Sequence, residues 1–501
     1  MTATPVPVGE WLDPANGERV ALQTPEGEQI HYASLAERVD RLAGGLLDAG
    51  LHHGDRVATL CHNNPDQVVL LFACARAGLV LVPLSWRATA VEAAAMLADA
   101  EPGLLLHDSG RAAQARASCE LVAARPPTAL LGAQGVEDAV PSVGSAAPAE
   151  AVSVDDDLLL LYTSGSSGRP KGVPLTHGNC WWTNASLADR MPLTVDDVVL
   201  LVLPQFHVAA WNVQPLLALH VGARVVVMET FDPGRMLDVV EGLRVTCVMG
   251  VPATYQTLAA HPGFGTADLS SLRLVVAGGA AVDPALLSTW ARRGHRLTVG
   301  YGLTEAGPNT LCSRPGDADP DPALAPYRDV EVAVRDVATG EMLTGSGRGE
   351  LLVRGPAVFA GYWREPSPVR PDGWFATGDL VERDTSGGLR VRGRAGDMFV
   401  SGGENVAPAE VESALLQDPD ITAAAVVGVP DARWGEAGVA FVVLRDAGNL
   451  ADPSAVERIR SRARDRLAGF KVPREVVVLA ELPTTGSGKI DKPALRARLE
   501  A

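Results

Sequence analysis

The stretch that decides both fold and chemistry runs from Leu158 to Gly172 and reads LLLLYTSGSSGRPKG. Its four leucines form an apolar run whose length is typical of a short buried strand. Small residues follow at once, and two cations, Arg169 and Lys171, close the stretch. A flexible turn with backbone N–H groups, hydroxyl donors and positive charge suits a polyphosphate. The stretch therefore predicts a phosphate-binding loop directly after a buried strand.

Two other interpretations of this loop fit less well. A Walker A loop requires Gly directly before its Lys, and Pro170 stands there. A flexible Gly/Ser linker rarely follows a buried strand directly or ends in Arg-Pro-Lys-Gly. The pattern thus favours phosphate binding without a Walker fold.

Length and composition limit the class of protein. A chain of 501 residues exceeds what one hydrophobic core usually organises, so at least two domains are expected. The formal net charge of −17 argues against a nucleic-acid binder or a binder of anionic membranes. Six scattered cysteines without a Cys-x-x-Cys pair predict no zinc site and no disulfide framework, which favours the cytoplasm. Neither a signal peptide nor a membrane span is expected.

Strand and helix patterns alternate through the first two thirds of the chain. Residues 56–60 have the pattern of a strand, residues 65–77 that of a helix and residues 78–83 that of another strand, and the alternation resumes from Asp197 to Ala277. Such a rhythm predicts a parallel sheet covered by helices. From about Val330 short alternating strands replace it, which indicates a small antiparallel or barrel-like sheet.

These patterns predict an α/β fold with two domains. The large N-terminal domain, residues 1–393, would hold parallel-rich sheets with flanking helices, and its residues from about 325 to 393 would form the small β-barrel-like subdomain. Residues 394–397 would be a hinge, made freer by Gly396. A small mobile α+β C-terminal domain would occupy residues 398–501.

A second motif lies at Val299–Gly307, which reads VGYGLTEAG. Its glycines let a flat ligand approach the backbone, and Tyr301 offers a stacking face. Thr304 can donate to a phosphate, and Glu305 is a hard oxygen ligand suited to Mg²⁺. A capped turn with Glu near a helix start is the structural alternative.

Single residues elsewhere carry weaker signals. Asp379 follows a small turn and can accept both hydroxyls of a ribose, although an Asx-turn explains it equally well. Lys489 stands on a glycine-rich loop, from which it can reach a distant phosphate. His207 lies among apolar residues, and by itself it is better explained as a partly buried structural histidine. Together with the two motifs, these residues predict an ATP site.

The same residues resemble the adenylate-forming superfamily of acyl-CoA synthetases, peptide-synthetase adenylation domains and luciferases. The resemblance extends from about Trp11 to Leu495. The motifs are most similar to those of feruloyl-CoA synthetases and related aryl- and medium-chain acyl-CoA synthetases. The motifs that carry it are Tyr162–Gly172, Tyr301–Glu305, Thr377–Asp379, Gly393-Arg394 with Asp397, Ser401–Asn405 and Gly488–Ile490.

The resemblance implies two half-reactions. A carboxylate attacks the α-phosphorus of ATP to give an acyl-adenylate and pyrophosphate, and after domain rotation the thiol of CoA attacks the adenylate. It also implies catalytic roles for Lys489, Thr304, Glu305 and His207, with Mg²⁺ on Glu305. It assigns phosphate binding to Thr163, Ser164, Gly165, Ser166, Ser167, Gly168 and Lys171. It assigns the remaining ATP contacts to Gly278, Gly279, Ala280, Tyr301, Gly302, Asp379 and Arg394.

Further positions in the sequence bear on the acceptor of the acyl group and on the acid that is activated. The resemblance implies that Trp434 and Lys471 contact the nucleotide of CoA. The acyl pocket is predicted to be mostly apolar and to be lined by His207, Val208, Ala209, Ala210, Trp211, Gly250 and Ala277. A pocket without an Arg to pair a second carboxylate favours a flat or chain-like apolar acid. Homodimerisation is left open.

Two alternatives accompany this interpretation. The segment after Glu305 and Gly396 at the hinge depart from the family pattern, so the acceptor could be an amine, a carrier-protein thiol, or nitrite in a diazotase-like reaction on an amino-aryl acid. A degenerate member that only binds nucleotide is the other, and the presence of Lys171, Glu305, Asp379 and Lys489 argues against it.

Overall fold

The chain forms two compact units: Met1–Val332 with Val353–Phe375, and Ala333–Leu352 with Ala376–Ala501. The domain boundary at residues 394–397 remains a prediction. The structure, a computed structural model, describes residues 4–131, 140, 151–164, 170–319, 321–401, 404–406, 408–431, 435–445, 453–464, 467, 469–485 and 489–500.

The first unit is built from strands and helices in alternation. Its strands are β1 (Val20–Gln23), β2 (Gln29–His31), β3 (Arg56–Leu60), β4 (Val80–Pro83), β5 (Leu104–His107), β6 (Thr128–Leu130), β7 (Asp157–Ser164), β8 (Pro170–Thr176), β9 (Val198–Leu201), β10 (Arg224–Val227), β11 (Cys247–Gly250), β12 (Leu274–Gly278), β13 (Leu297–Tyr301), β14 (Leu311–Cys312) and β15 (Ala325–Pro326). Its helices are α1 (Tyr32–Asp48), α2 (Pro65–Ala77), α3 (Ala90–Ala100), α4 (Ala112–Glu120), α5 (His177–Arg190), α6 (Ala209–Asn212), α7 (Pro215–Val221), α8 (Pro233–Gly242), α9 (Pro252–Ala260) and α10 (Pro284–Arg292).

These strands form two sheets. One has the order β6-β5-β3-β4-β7-β8, and all its pairs are parallel except β7 with β8. The other has the order β15-β14-β13-β12-β11-β9-β10-β1-β2, with parallel pairs from β13 to β1 and antiparallel strands at both ends. The predicted α/β fold with parallel-rich sheets and flanking helices is confirmed.

The opening apolar run forms part of strand β7, as predicted. Leu158, Leu159 and Leu160 are fully buried, and each contributes roughly 1.5–3 kcal/mol of hydrophobic stabilisation. Leu160 belongs to a core that includes Leu97 of α3 and Ala115 of α4. The run is thus anchored on helices, which gives the following loop a rigid base.

Helix α2 shows how local sequence sets an element's ends. The Asn64 side chain caps its start by accepting from the Gln67 N–H at 2.9 Å, and Pro65 occupies the first turn. Gly78 ends the helix in the left-handed conformation, with φ of 69°.

The second unit contains a four-stranded sheet and an α+β part. Its elements are β16 (Glu331–Arg335), β17 (Gly347–Arg354), β18 (Phe375–Arg383), β19 (Leu389–Arg394), β20 (Phe399–Ser401), β21 (Glu404–Val406), α11 (Pro408–Leu416), β22 (Ile421–Asp431), β23 (Gly435–Leu444), α12 (Pro453–Arg464), β24 (Glu475–Leu479) and α13 (Lys492–Glu500). The residues of β16, β17 and β18 are divided between the two units.

Strand β22 explains why helices cover both faces of its sheet. Ala424 and Val426 point into a core shared with α11 and α12, whereas Val427 points into a second core shared with Leu495 of α13. This alternation is the period of two expected for a strand buried on both faces. Of the helices in the described ranges, none combines the length and apolar character needed to cross a bilayer.

Candidate active site

The predicted phosphate loop is flanked by the antiparallel pair β7 and β8. Thr163 lies opposite Lys171, and Ser164 lies opposite Pro170. The intervening residues lie outside the described residues, and they include the predicted ligands Gly165, Ser166, Ser167 and Gly168. Strand pairing therefore places Thr163, the first predicted phosphate ligand, opposite Lys171, the predicted cation.

Lys171 contacts two residues of a later segment. Its Nζ lies 2.8 Å from Glu365 Oε2 and 4.6 Å from the centroid of the Tyr362 ring. The side chains of Lys171 and Glu365 are 31% and 44% exposed. An exposed ion pair of this kind is worth only about 0–1 kcal/mol, so Lys171 can exchange partners at little cost.

Glu305 lies in the short 3-10 helix Thr304–Ala306, directly after β13. Its backbone carbonyl accepts from the Phe359 N–H at 2.8 Å, and its Oε1 accepts from the Tyr362 hydroxyl at 3.1 Å. Gly302 is required in this loop, because a Cβ there would lie 2.1 Å from the Pro308 carbonyl oxygen. The loop is thus closed tightly and holds the Glu305 carboxylate beside Tyr362.

The Glu305 carboxylate fits the predicted role toward Mg²⁺. It is half-buried, and a carboxylate that accepts one phenol bond keeps most of its acceptor capacity. Within the described ranges no group of three or more His, Cys, Asp or Glu side chains is arranged to hold a metal ion. Glu305 would therefore act with phosphate oxygens and water, the ligand set that Mg²⁺ prefers.

The carboxyl ends of β12 and β13 lie side by side at this edge. Gly278 pairs with Gly300, and a Cβ at Gly278 would lie 2.7 Å from the Gly300 carbonyl oxygen. Gly279, at φ of 80°, and Ala280 are exposed, and Tyr301 is half-buried. The exposed residues Gly279 and Ala280 are small, which fits the approach of a flat ring, and ligands of open parallel sheets bind at the carboxyl ends of such strands.

Behind the Glu305 loop lies a set of buried neutral amides. Asn309 Nδ2 donates to the Asn212 carbonyl at 2.8 Å and to the Thr183 carbonyl at 3.4 Å. Asn184 Nδ2 donates to Asn212 Oδ1 and to the Cys180 carbonyl, each at 2.8 Å. These hydrogen bonds connect Asn309, beyond the Glu305 loop, to α5 and α6 through uncharged groups. We call Asn309, Asn212, Asn184 and Cys180 the amide network.

His207 lies in the turn between β9 and α6. Its ring is half-buried and packs against Phe206 with centroids 4.4 Å apart. Ala209 is half-buried as well, whereas Ala210 and Trp211 are almost fully buried, and the Trp211 indole donates to the Gln205 carbonyl at 2.8 Å. Of the predicted pocket residues here, His207 and Ala209 have the exposure that a ligand contact requires; Val208 is 8% exposed.

Gly250 and Ala277, the other predicted pocket residues, are register partners at the ends of β11 and β12. A Cβ at Gly250 would lie 3.1 Å from the Tyr255 ring, and the Tyr255 hydroxyl donates to the Val276 carbonyl at 2.8 Å. Gly250 is therefore also explained by packing against the buried Tyr255.

Next to His207 the chain gathers positive charge around one indole. Phe206 contacts Trp86 edge-on at 6.3 Å, and the guanidiniums of Arg87 and Arg111 lie 4.6 and 5.2 Å from the Trp86 ring centroid. Burial lowers the pKa of Arg87 below its usual value. This cluster, which the sequence pattern did not reveal, offers cations and a flat surface.

In the second unit the two predicted ribose residues meet. Asp379 and Arg394 are opposite one another on β18 and β19, and Asp379 Oδ1 lies 2.8 Å from Arg394 Nε. The Asp379 N–H donates to the Thr377 hydroxyl at 3.0 Å, and Gly378 adopts φ of 73° between them. The buried Asp379 carboxylate is thus paired with the more exposed Arg394.

The remaining predicted residues also belong to the second unit. The Lys489 carbonyl accepts from the Thr485 N–H at 2.7 Å, and Ile490 bridges to Thr484, so the backbone of Lys489 is paired with that of Thr485. Lys471 Nζ pairs with Glu410 Oε1 at 2.5 Å. Trp434 lies outside the described residues.

Comparison with known proteins decides the family. Residues 11–363 match the model of the AMP-binding enzyme family, and residues 410–489 match that of the AMP-binding enzyme C-terminal domain. The chain belongs to the AMP-binding enzyme family.

Its relatives include a feruloyl-CoA synthase from Amycolatopsis, 42% identical over 482 residues that cover 94% of each chain. An indoleacetate–CoA ligase from Aromatoleum aromaticum is 38% identical over 98% of this chain and 97% of its own. The crystal structure of ATP-bound MatB from Rhodopseudomonas palustris superposes with a TM-score of 0.89 at 33% identity over 99% of both chains. The predicted membership of the acyl-CoA synthetase branch is confirmed by these relatives.

Tyr362, Glu365 and Asn309 of this AMP-binding enzyme were not predicted from the sequence. Tyr362 and Glu365 both contact Lys171, and Tyr362 also contacts Glu305. The one available signal was the aromatic pair Tyr362-Trp363 after Gly361 in a chain with only 5% aromatic residues.

Proposed function

We propose that this AMP-binding enzyme is an acid–thiol ligase that converts an aryl or medium-chain carboxylic acid into its acyl-CoA. A carboxylate oxygen attacks the α-phosphorus of ATP, the bond to the β-phosphate oxygen breaks, and pyrophosphate leaves. The CoA thiolate then attacks the acyl carbon of the adenylate, and AMP leaves. The observation that carries the proposal is the contact chain Lys171–Tyr362–Glu305, which brings a cation on β8 of one sheet close to a carboxylate that follows β13 of the other sheet.

The roles at the triphosphate follow from charge. Lys171, with the Thr163 and Ser164 hydroxyls, would hold the β- and γ-phosphates, and Mg²⁺, held by Glu305, would offset their negative charge. Thr304 would donate to the α-phosphate. Lys489 would approach the reacting carboxylate and α-phosphate, where negative charge accumulates in the transition state; a donor placed there commonly lowers the barrier by about 3–4 kcal/mol.

Two sets of residues are proposed for the nucleoside. Tyr301, Gly302 and the turn Gly278–Ala280 would flank adenine, because Gly279 and Ala280 are small and exposed and Tyr301 offers a ring face. Asp379, with Arg394 as its partner, would accept the ribose hydroxyls. A carboxylate in this role must stay ionised, and an adjacent guanidinium favours the ionised form.

The acid is proposed to be flat and apolar. His207 and Ala209 are both partly exposed, and the His207 ring packs against Phe206, so these side chains are suited to contact an aromatic acid. The feruloyl-CoA synthase and indoleacetate–CoA ligase relatives support an aryl acid over a chain-like one.

CoA is proposed as the acceptor, with its nucleotide near Trp434 and Lys471. All six cysteines lie in the described ranges as free, buried thiols, which supports the cytoplasm as the site of reaction.

An acid panel tests the proposal. Aryl and medium-chain acids should drive ATP–pyrophosphate exchange without CoA, and the best acid should then consume CoA stoichiometrically. Turnover that requires an amine, a carrier-protein thiol or nitrite in place of CoA would replace the acceptor. No exchange with any acid would support the nucleotide-binding alternative.

The two half-reactions can be separated at Lys489. Lys489→Ala should reduce adenylate formation by about 10²–10³-fold, because the cation at the α-phosphate is lost. Thioester formation from a supplied acyl-adenylate should be spared. Equal loss of both half-reactions would contradict the role given to Lys489.

A further inference from the structure

The segment Phe359–Glu365, which we call the strap, connects the two charged residues of the triphosphate site. At one end the Phe359 N–H donates to the Glu305 carbonyl at 2.8 Å. At the other end the Trp363 N–H donates to the carbonyl of Gly172, the neighbour of Lys171, at 2.8 Å. The strap is thus fixed by backbone hydrogen bonds to both elements whose side chains would contact ATP.

Tyr362 stands between these two anchors and contacts both charged side chains. Its hydroxyl donates to Glu305 Oε1 at 3.1 Å, and its ring face lies 4.6 Å from Lys171 Nζ. Its ring also packs edge-on against Phe359 with centroids 5.0 Å apart, which limits its rotation. A phenol held in this way fixes one carboxylate oxygen and leaves the other to a metal ion.

Glu365 ends the strap and supplies an anion to Lys171. The 2.8 Å pair stands where a phosphate oxygen would otherwise contact the ammonium. Because both side chains are partly exposed, the pair is weak and can be replaced by a ligand of higher charge. A triphosphate carries several negative charges in one place, so it competes effectively with a single carboxylate.

We propose that the strap presets the triphosphate site: Tyr362 is a positioning residue that holds Glu305 for Mg²⁺ beside Lys171, and Glu365 occupies Lys171 until a phosphate displaces it. The inference rests on the proposed function only in taking ATP as the ligand. It assigns roles to Tyr362 and Glu365 that act on nucleotide binding before any acid or CoA is engaged.

The test is calorimetric titration of ATP into the full chain, once with Mg²⁺ and once with EDTA. Tyr362→Phe keeps the ring over Lys171 and removes only the phenol. It should weaken ATP binding about 10-fold with Mg²⁺, as expected for a lost hydrogen bond to a charged group, and by less than about 2-fold in EDTA. Equal affinity of wild type and Tyr362→Phe in Mg²⁺ would overturn the role of Tyr362.

Glu365→Gln should behave in the opposite way. Because Lys171 no longer needs to leave a carboxylate, ATP binding should tighten by about 2- to 5-fold both with Mg²⁺ and in EDTA, and the gain should shrink in high salt. Unchanged or weaker binding would overturn the role of Glu365. Because the Glu365 side chain is partly exposed, Glu365→Gln should fold like the wild type. The test therefore does not depend on Tyr362→Phe alone.

Glu101→Gln is the matched control. Glu101 pairs with Arg364, a neighbouring strap residue, and the substitution removes the same charge without touching Lys171. It should leave both ATP affinities unchanged, and a gain equal to that of Glu365→Gln would mean that general charge causes the effect and would overturn the competitor role.

The two proposals fail in distinguishable ways. If the wild type binds ATP but forms no acyl-CoA with any acid, the proposed function fails while the variants still decide the inference. If the wild type does not bind ATP in either condition, both are overturned.

Discussion

The loop that carries Glu305 has two sides of opposite character. On one side Glu305, Tyr362 and Lys171 form a charged, partly exposed contact chain. On the other side Asn309 is bound into the amide network, where its carboxamide and that of Asn184 are buried. Charge is placed where a ligand can neutralise it, and neutral amides are placed where the backbone must be fixed out of water.

The difference follows from the cost of burial. An ionised side chain without a partner is expensive to bury, whereas a buried amide is tolerated when it is hydrogen-bonded. The amide network can therefore stabilise the fold without a ligand, whereas the charged side is expected to be stabilised most by a bound ligand. Variants on the two sides should separate activity from stability.

The largest effect is expected on the charged side. Glu305→Gln keeps the shape of the side chain but removes the charge that would bind Mg²⁺, so the acid-dependent ATP–pyrophosphate exchange rate should fall by about 10²–10³-fold. The melting temperature should change little, because Glu305 is only half-buried. A large loss of stability with unchanged specific activity would contradict the assignment of activity, and not stability, to the charged side.

Helix α5, which supplies two members of the amide network, begins with another buried neutral group. His177 Nδ1 accepts from the Val8 N–H at 3.0 Å, and burial lowers the pKa of His177 from 6.5 to about 4. Asp156 raises this pKa and His53 lowers it, both by smaller amounts.

Acid should therefore destabilise the first unit through His177. Between about pH 6.5 and pH 4 the unfolded chain binds the proton before the folded chain does, so folding free energy is lost as the pH falls, by roughly 3 kcal/mol in all. His177→Gln keeps an acceptor for Val8 but does not titrate, and its unfolding midpoint in urea should depend less on pH over this range. His52→Gln, at a side chain that is 85% exposed, is the control and should retain the wild-type slope.

A somewhat smaller effect is expected inside the amide network. Asn309→Leu removes the donor to two buried carbonyls, those of Asn212 and Thr183, and should destabilise the first unit by about 2 kcal/mol. Asn309→Asp keeps the size but loses the donor, so urea unfolding should show a loss at least as large. If the Asp variant were as stable as wild type, packing and not hydrogen bonding would explain the network.

The sequence revealed those parts of this arrangement that local pattern encodes. The apolar run at Leu158 predicted its strand. The glycines around Tyr301 were expected to let a flat ligand approach, which stays a prediction, and the structure explains Gly302 by its close packing against the Pro308 carbonyl. Asp379 and Arg394 were expected to act together, and pairing of β18 with β19 places them opposite one another.

Tyr362, Glu365 and Asn309 could not be predicted in the same way. The contacts of Glu365 with Lys171 span 194 residues and depend on how the strap crosses the sheet edge. Asn is most often a turn residue, so a buried Asn such as Asn309 has no pattern of its own in the sequence. Such contacts arise from tertiary packing, which period and composition do not report.

Product analysis of ATP cleavage tests the central claim most directly. With an aryl acid and CoA, the wild type should convert ATP into AMP and pyrophosphate in a one-to-one ratio with acyl-CoA, and Lys171→Ala should do so much more slowly. Formation of ADP and phosphate, or cleavage that does not depend on the acid, would contradict attack at the α-phosphorus and with it the function proposed for this site.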